Sequence, residues 1–147
     1  MPPVAVATPT NLPDLAHPVT HGVLRLTPTT EAVKMARDYV GGLLTVHDWP
    51  KDVVEQAVLV VSELASNAVC HAGTDWEVRC TVDGVARVEV LDGDGSALPI
   101  LRRPEAGRRG GLGLHLVIAF ALTWGVTATP GGKAVWCTLD PKPHRAS

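Results

Sequence analysis

The chain has 147 residues, 46% of them apolar, and a formal net charge of −2. That length supports one domain with a real core, and the balanced charge excludes a basic nucleic-acid surface or a membrane-surface patch. A single Phe and a single Tyr leave too few stacking platforms for a single-strand binder.

Residues 1–21 read as a disordered leader, because five prolines fall among its first 20 residues and interrupt any regular element. They lack the basic segment of a signal peptide. No apolar run approaches membrane-spanning length, so no membrane partner is expected. Cys70, Cys80 and Cys137 are odd in number and lack the C-x-x-C spacing. They read as small core residues of a reducing compartment, and with the missing signal they indicate a cytoplasmic protein.

Gly22-Val-Leu-Arg-Leu-Thr-Pro28 alternates and predicts a short strand, with Leu24 and Leu26 on one side. Thr29 or Thr30 caps the next helix, with Glu31 in its first turn. Val33, Ala36, Val40, Leu43 and Leu44 give that helix a 3–4 spacing, and Trp49-Pro50 ends it. A second helix runs from Asp52 to Ala72. Ala57, Val61, Leu64, Ala68 and Ala72 form its apolar face; Glu55, Ser62 and Ser66 form its wet face. Glu63, Asn67 and His71 step along the border between them, one turn apart. A carboxylate, an amide and an imidazole held there face a cleft rather than bulk water.

Glu77–Val82 and Val85–Asp92 form a hairpin around Asp83-Gly84, a favoured two-residue turn. Val78, Cys80 and Val82 share one face, and Val88 and Val90 point the same way, so the sheet has one dry and one wet face. The period of two then places Asp92 on the dry side, its carboxylate directed inward. An inward carboxylate is costly unless something donates to it; capping of the Gly93-Asp94-Gly95 turn is one such use. Residues 93–111 form a long connection carrying Arg102, Arg103, Arg108 and Arg109. It suits a lid over an anion or a docking surface. Gly110-Gly-Leu-Gly-Leu114 then opens an apolar helix from His115 to Leu122. Glycines there let backbone N–H groups approach phosphate closely. A second hairpin around Pro130-Gly131-Gly132 ends the fold, with Val135, Cys137 and Leu139 facing the core. Residues 141–147 read as a disordered tail.

Each of these features has an ordinary explanation when taken alone: a polar helix border, a capped turn, turn glycines. In order, "VVSELASNAVCHA", "VEVLDGDG" and "GGLGLHLV" resemble the successive boxes of the ATP-binding domains of the GHKL superfamily, which includes gyrase, heat-shock chaperone, histidine kinase and MutL. More narrowly the chain is similar to the stand-alone histidine-kinase-like domains of bacterial anti-sigma factors with serine/threonine kinase activity. The resemblance covers residues 22–140. It implies an α+β, two-layer α/β sandwich of the Bergerat type, with a mixed sheet of about five strands and three main helices on one face. It also implies ATP and Mg²⁺ as cofactors, with Asn67 as metal ligand and Glu63 as catalytic base or water-orienting group. Asp92 would accept the adenine amino group, and Gly95, Gly111, Leu112, Gly113 and Leu114 would wrap the nucleotide. The implied partners are a sigma factor, an anti-sigma-factor antagonist and a second copy of the chain, with no direct nucleic-acid contact. No dimerisation helices precede residue 22, so the sensor-kinase arrangement is not expected.

Three features depart from the family pattern. Asp94 interrupts the usual Asp-x-Gly, Lys133-Ala134 stands where a Gly-Thr is usual, and Cys70 replaces a common basic residue. His71 reads as an orienting or packing group. Phosphorylation of an antagonist is the leading reading. An ATP-gated protein-binding module without phosphotransfer needs the same pocket, and a scaffold that has lost ATP is a third reading. A dinucleotide enzyme fits poorly, because its glycine motif should follow a strand directly.

Overall fold

Alternating burial along the strands sorts this chain into a sheet with one dry face and a helical layer that covers it. The computed structural model describes residues 10–12, 19–94, 117 and 119–142. They form β1 (Thr10–Leu12), β2 (Val19–Leu26), α1 (Thr30–Val46), α2 (Lys51–Asn67), a wide π turn (Ala68–Ala72), β3 (Trp76–Asp83), β4 (Val85–Asp92), β5 (Thr123–Thr129) and β6 (Gly132–Leu139). The strands make one sheet in the order β1-β2-β3-β4-β6-β5.

Every pairing in that sheet is antiparallel. The expected sheet was mixed, with about five strands; among the described residues it has six and no parallel pair. The difference lies at one edge. Thr10–Leu12 pairs with Val19–His21, so strand reaches into the stretch assigned to a disordered leader. Prolines are tolerated beside an edge strand because their missing N–H need not face a neighbour. The second hairpin begins directly after the third helix. Leu122 N–H already donates to Thr138 O at 2.8 Å, and Thr123 opens β5.

The dry face follows the predicted parity. Val78, Cys80, Val82, Val88, Val90, Cys137 and Leu139 are all buried, and they meet Ala36, Val40 and Leu44 of α1 and Val60, Val61 and Leu64 of α2 in one cluster. On the other face Arg79 pairs with Glu77 and Arg87 with Glu89, and the Arg87 guanidinium lies 4.3 Å from the centre of the Trp136 ring. These half-exposed pairs contribute at most about 1 kcal/mol each.

Local chemistry sets the helix ends. Thr29 is the N-cap of α1, its Oγ1 accepting from Ala32 N–H at 3.2 Å. Past His47, Asp48 takes a left-handed φ of 60°, which Asp tolerates better than most residues. That reverses the chain and tucks Trp49 into the core. The segment Lys51–Cys70 is long and apolar enough to cross a membrane by length and composition, contrary to the expectation that no run reaches that length. Its apolar content has another use here: Val53, Ala57, Val60, Val61, Leu64, Ala65 and Ala68 are buried against α1 and the sheet. Of the third helix, Val117, Ala119 and Phe120 are described as helical. Val117 is fully buried, and its carbonyl accepts from Ala121 N–H at 2.8 Å.

Candidate functional site

The end of α2 and the end of β4 meet at one corner of the molecule. Glu63 and Asn67 are half-buried on the last turns of α2, at the edge of the face that carries Val60, Leu64 and Ala68 into the core. Neither side chain has a hydrogen-bond partner among the described residues. After Asn67 the helix widens into the π turn, and Gly73 closes it with φ of 64°, its N–H donating to Ala68 O at 3.2 Å. Wide turns of this kind concentrate at functional sites. This one carries the backbone at position 71 out of the 3.6-residue register that a regular helix would give Glu63, Asn67 and His71. The side chain of His71 lies outside what the structure describes.

The π turn packs against β4. Beyond it Thr74 Oγ1 accepts from Gly93 N–H at 2.9 Å, which fastens the exit of the helix to the exit of the strand. Asp92 lies next to this tie and, as its parity requires, points inward: the residue is 8% exposed.

Its carboxylate is held by two protein groups. Asp94 N–H donates to Oδ1 at 2.9 Å. Lys133 Nζ lies 3.1 Å from Oδ1 and 3.0 Å from Oδ2, and also donates to Asp94 O at 3.0 Å. The Asp94 contact is the capped turn foreseen as the ordinary use of this side chain. The lysine was missed. Asp92 and Lys133 stand directly opposite each other across β4 and β6, and counting back two residues from Val135 places Lys133 on the dry face. The alternation that aimed Asp92 inward could therefore have found its partner. The same register corrects the reading of the Lys133-Ala134 departure. Position 133 faces Asp92, whereas Ala134 pairs with Leu91 on the opposite face, so a hydroxyl at 134 would not reach this carboxylate. Lys133 is only 6% exposed. Charges this deep persist because each satisfies the other, and removing one partner alone costs roughly 3–5 kcal/mol.

Gly132 makes this approach possible. A Cβ there would lie 2.9 Å from the carbonyl carbon of Asp92 and 3.1 Å from Gly93 Cα, and closer still to the Asp92 carbonyl oxygen. Only a residue without a side chain lets β6 run against the end of β4 at this point.

Glu63 and Asn67 thus lie on the last turns of α2 and Asp92 at the end of β4, two elements joined by the π turn and the Thr74–Gly93 tie. Gly95, Gly111, Leu112, Gly113 and Leu114 lie outside the described residues, as do the arginines of the long connection. Among the described residues no cluster of His, Cys, Asp and Glu is built to hold a metal ion by itself. A magnesium ion held by one amide together with ligand oxygens needs no such cluster, and the Asn67 amide, without a partner among the described residues, suits that arrangement. An inward acceptor on Asp92 suits the amino group of a base, provided that Lys133 yields it.

Residues 26–139 match the family model of the histidine kinase-like ATPase domain, and the chain belongs to that family. Among solved structures it is similar to the RsbU and RsbW domains of Rv1364c from Mycobacterium tuberculosis, at 19% identity and a TM-score of 0.60, over 80% of this chain and 32% of that one. The chain thus spans about a third of the length of that structure. No curated protein matches it in sequence.

Proposed function

We propose that this chain is a cytoplasmic ATP-binding regulatory protein of the anti-sigma type. It would bind ATP with Mg²⁺, phosphorylate a serine or threonine of an antagonist protein and sequester a sigma factor. The observation that carries the reading is the inward, buried carboxylate of Asp92 in a chain of the histidine kinase-like ATPase family.

Bound ATP–Mg²⁺ would supply the transferable phosphoryl group and the charge that neutralises it. The chain's own residues would do the positioning. The Asn67 amide oxygen, without a donor among the described residues, is a hard ligand of the kind magnesium takes. Glu63, one turn earlier on the same border, would accept the proton of an incoming hydroxyl during phosphoryl transfer. Asp92 fixes the base, and Gly95 with Gly111, Leu112, Gly113 and Leu114 would enclose the phosphates through backbone N–H groups.

Calorimetry with ATP and Mg²⁺, followed by radiolabel transfer to candidate antagonist proteins, tests the reading. Binding that disappears in Asn67→Ala supports the pocket. Transfer that disappears in Glu63→Ala while ATP still binds supports the catalytic role. ATP binding without transfer to any antagonist would point to the ATP-gated binding module.

A further inference from the structure

Asp92 is given the task of accepting a hydrogen bond from the base, yet both of its oxygens already face an ammonium group. Lys133 Nζ touches Oδ1 and Oδ2 and also donates to Asp94 O. The Asp94 N–H adds a second donor to Oδ1. The Lys133 side chain is 7% exposed and that of Asp92 3%, so the pair is sealed from water, and no buried side-chain polar atom among the described residues lacks a partner. The Asp92–Lys133 pair is therefore satisfied without a ligand.

We propose that Lys133 is an intramolecular competitor for the base-accepting carboxylate, and so a residue that sets nucleotide affinity. The inference rests on the nucleotide reading given above. The Asp92 side chain is only 3% exposed with the ammonium against both oxygens, so withdrawal of the ammonium from one of them opens the approach for a purine amino group. The backbone does not have to move for this. Lys133 hangs from β6 by a flexible four-carbon stem, whereas Asp92 is held by the β4 ladder, by its own turn and by the Thr74–Gly93 tie. The lysine is the member of the pair that yields. A pocket open in only a fraction of molecules binds more weakly by that fraction, so a pair open about a tenth of the time lowers apparent affinity about tenfold. The penalty falls on ligands that carry a base. A bare triphosphate, which needs no contact with Asp92, escapes it.

The test compares ATP–Mg²⁺ with tripolyphosphate–Mg²⁺ on the full chain, by calorimetry, in the wild type, Lys133→Gln and Lys133→Arg. Glutamine still donates to Asp92 but carries no charge; arginine keeps the ion pair. Lys133→Gln is expected to bind ATP about tenfold tighter than wild type with no gain for tripolyphosphate, and Lys133→Arg to show no gain for either. Weaker or unchanged ATP binding in a folded Lys133→Gln overturns the proposal, because Lys133 would then be a ligand of the nucleotide or a bystander. An equal gain for both ligands overturns it too. A measurement on the wild type covers the case in which Lys133→Gln does not fold. The slowly exchanging ¹⁵N ammonium resonance of Lys133, assigned by its absence in Lys133→Arg, should shift or vanish with ATP and persist with tripolyphosphate. A resonance that ATP leaves unchanged refutes the competition. If no variant binds ATP at millimolar concentration, the nucleotide reading itself falls, an outcome distinct from ATP binding that Lys133 does not influence.

Discussion

Gly132→Ala is the substitution that most directly probes how the site corner is built. The added methyl would sit 2.9 Å from the carbonyl carbon of Asp92 and 3.1 Å from Gly93 Cα. Both are backbone atoms, so no rotamer change relieves the clash. β6 must move away from β4 where Asp92 and Lys133 face each other. Overpacking of this kind costs roughly 1–3 kcal/mol, and each ladder hydrogen bond lost at the strand end adds about 1 kcal/mol. The expected loss is about 2–4 kcal/mol, which in a domain of this size lowers Tm by roughly 5–15 °C. Scanning calorimetry and urea titration measure it. Gly131→Ala is the control. Gly131 has a φ of 88°, and a Cβ added there would meet no heavy atom within 4 Å. Its loss should be about 1 kcal/mol, from backbone conformation alone. A Gly132→Ala protein as stable as wild type, or no worse than Gly131→Ala, would refute the claim that strand contact at this corner excludes a side chain.

Further outcomes concern the rest of the fold. Gly42 lies inside α1 with open space around it, so Gly42→Ala should stabilise by about 0.5–1 kcal/mol, and a lowered urea midpoint would contradict that. Leu64→Ala, at a residue 2% exposed, should cost about 2–5 kcal/mol; Leu59→Ala on the same helix, 50% exposed, should cost under about 0.5 kcal/mol, and comparable losses would misplace the buried face of α2. Burial pushes the Cys80 and Cys137 thiols up to about 12, while Cys70 is exposed. A thiol reagent at pH 8 should therefore label Cys70 alone until the chain unfolds; fast labelling of either buried thiol would contradict the packing. The unfolded thiols ionise near 9, so these two groups should erode stability as pH rises from there toward 12. A flat stability profile across that window would count against their burial.

Much of the fold follows from local pattern. Alternation at Val78, Cys80 and Val82 and at Val88 and Val90 defined the dry face, the Asp83-Gly84 turn defined the first hairpin, and Thr29 and Trp49-Pro50 bounded α1. The same period of two aimed Asp92 inward, where the fold buries it. Other features depended on contacts between distant parts of the chain. β1 exists as an edge strand because β2 offers it a partner, and no local pattern marks three residues among prolines. The π turn after Asn67 carries the helix exit to Thr74 and the tie to Gly93, which helical periodicity does not foresee.

Sheet parity, the apolar faces of the helices and the border on which Glu63 and Asn67 stand could all be read from local residue order, because a side chain's direction follows from the repeat of its own element. The engagement of Asp92 by Lys133 depends instead on how the strands assemble. The two residues lie 41 positions apart, and which strand lies beside β4 is set by the packing of the whole sheet rather than by either segment.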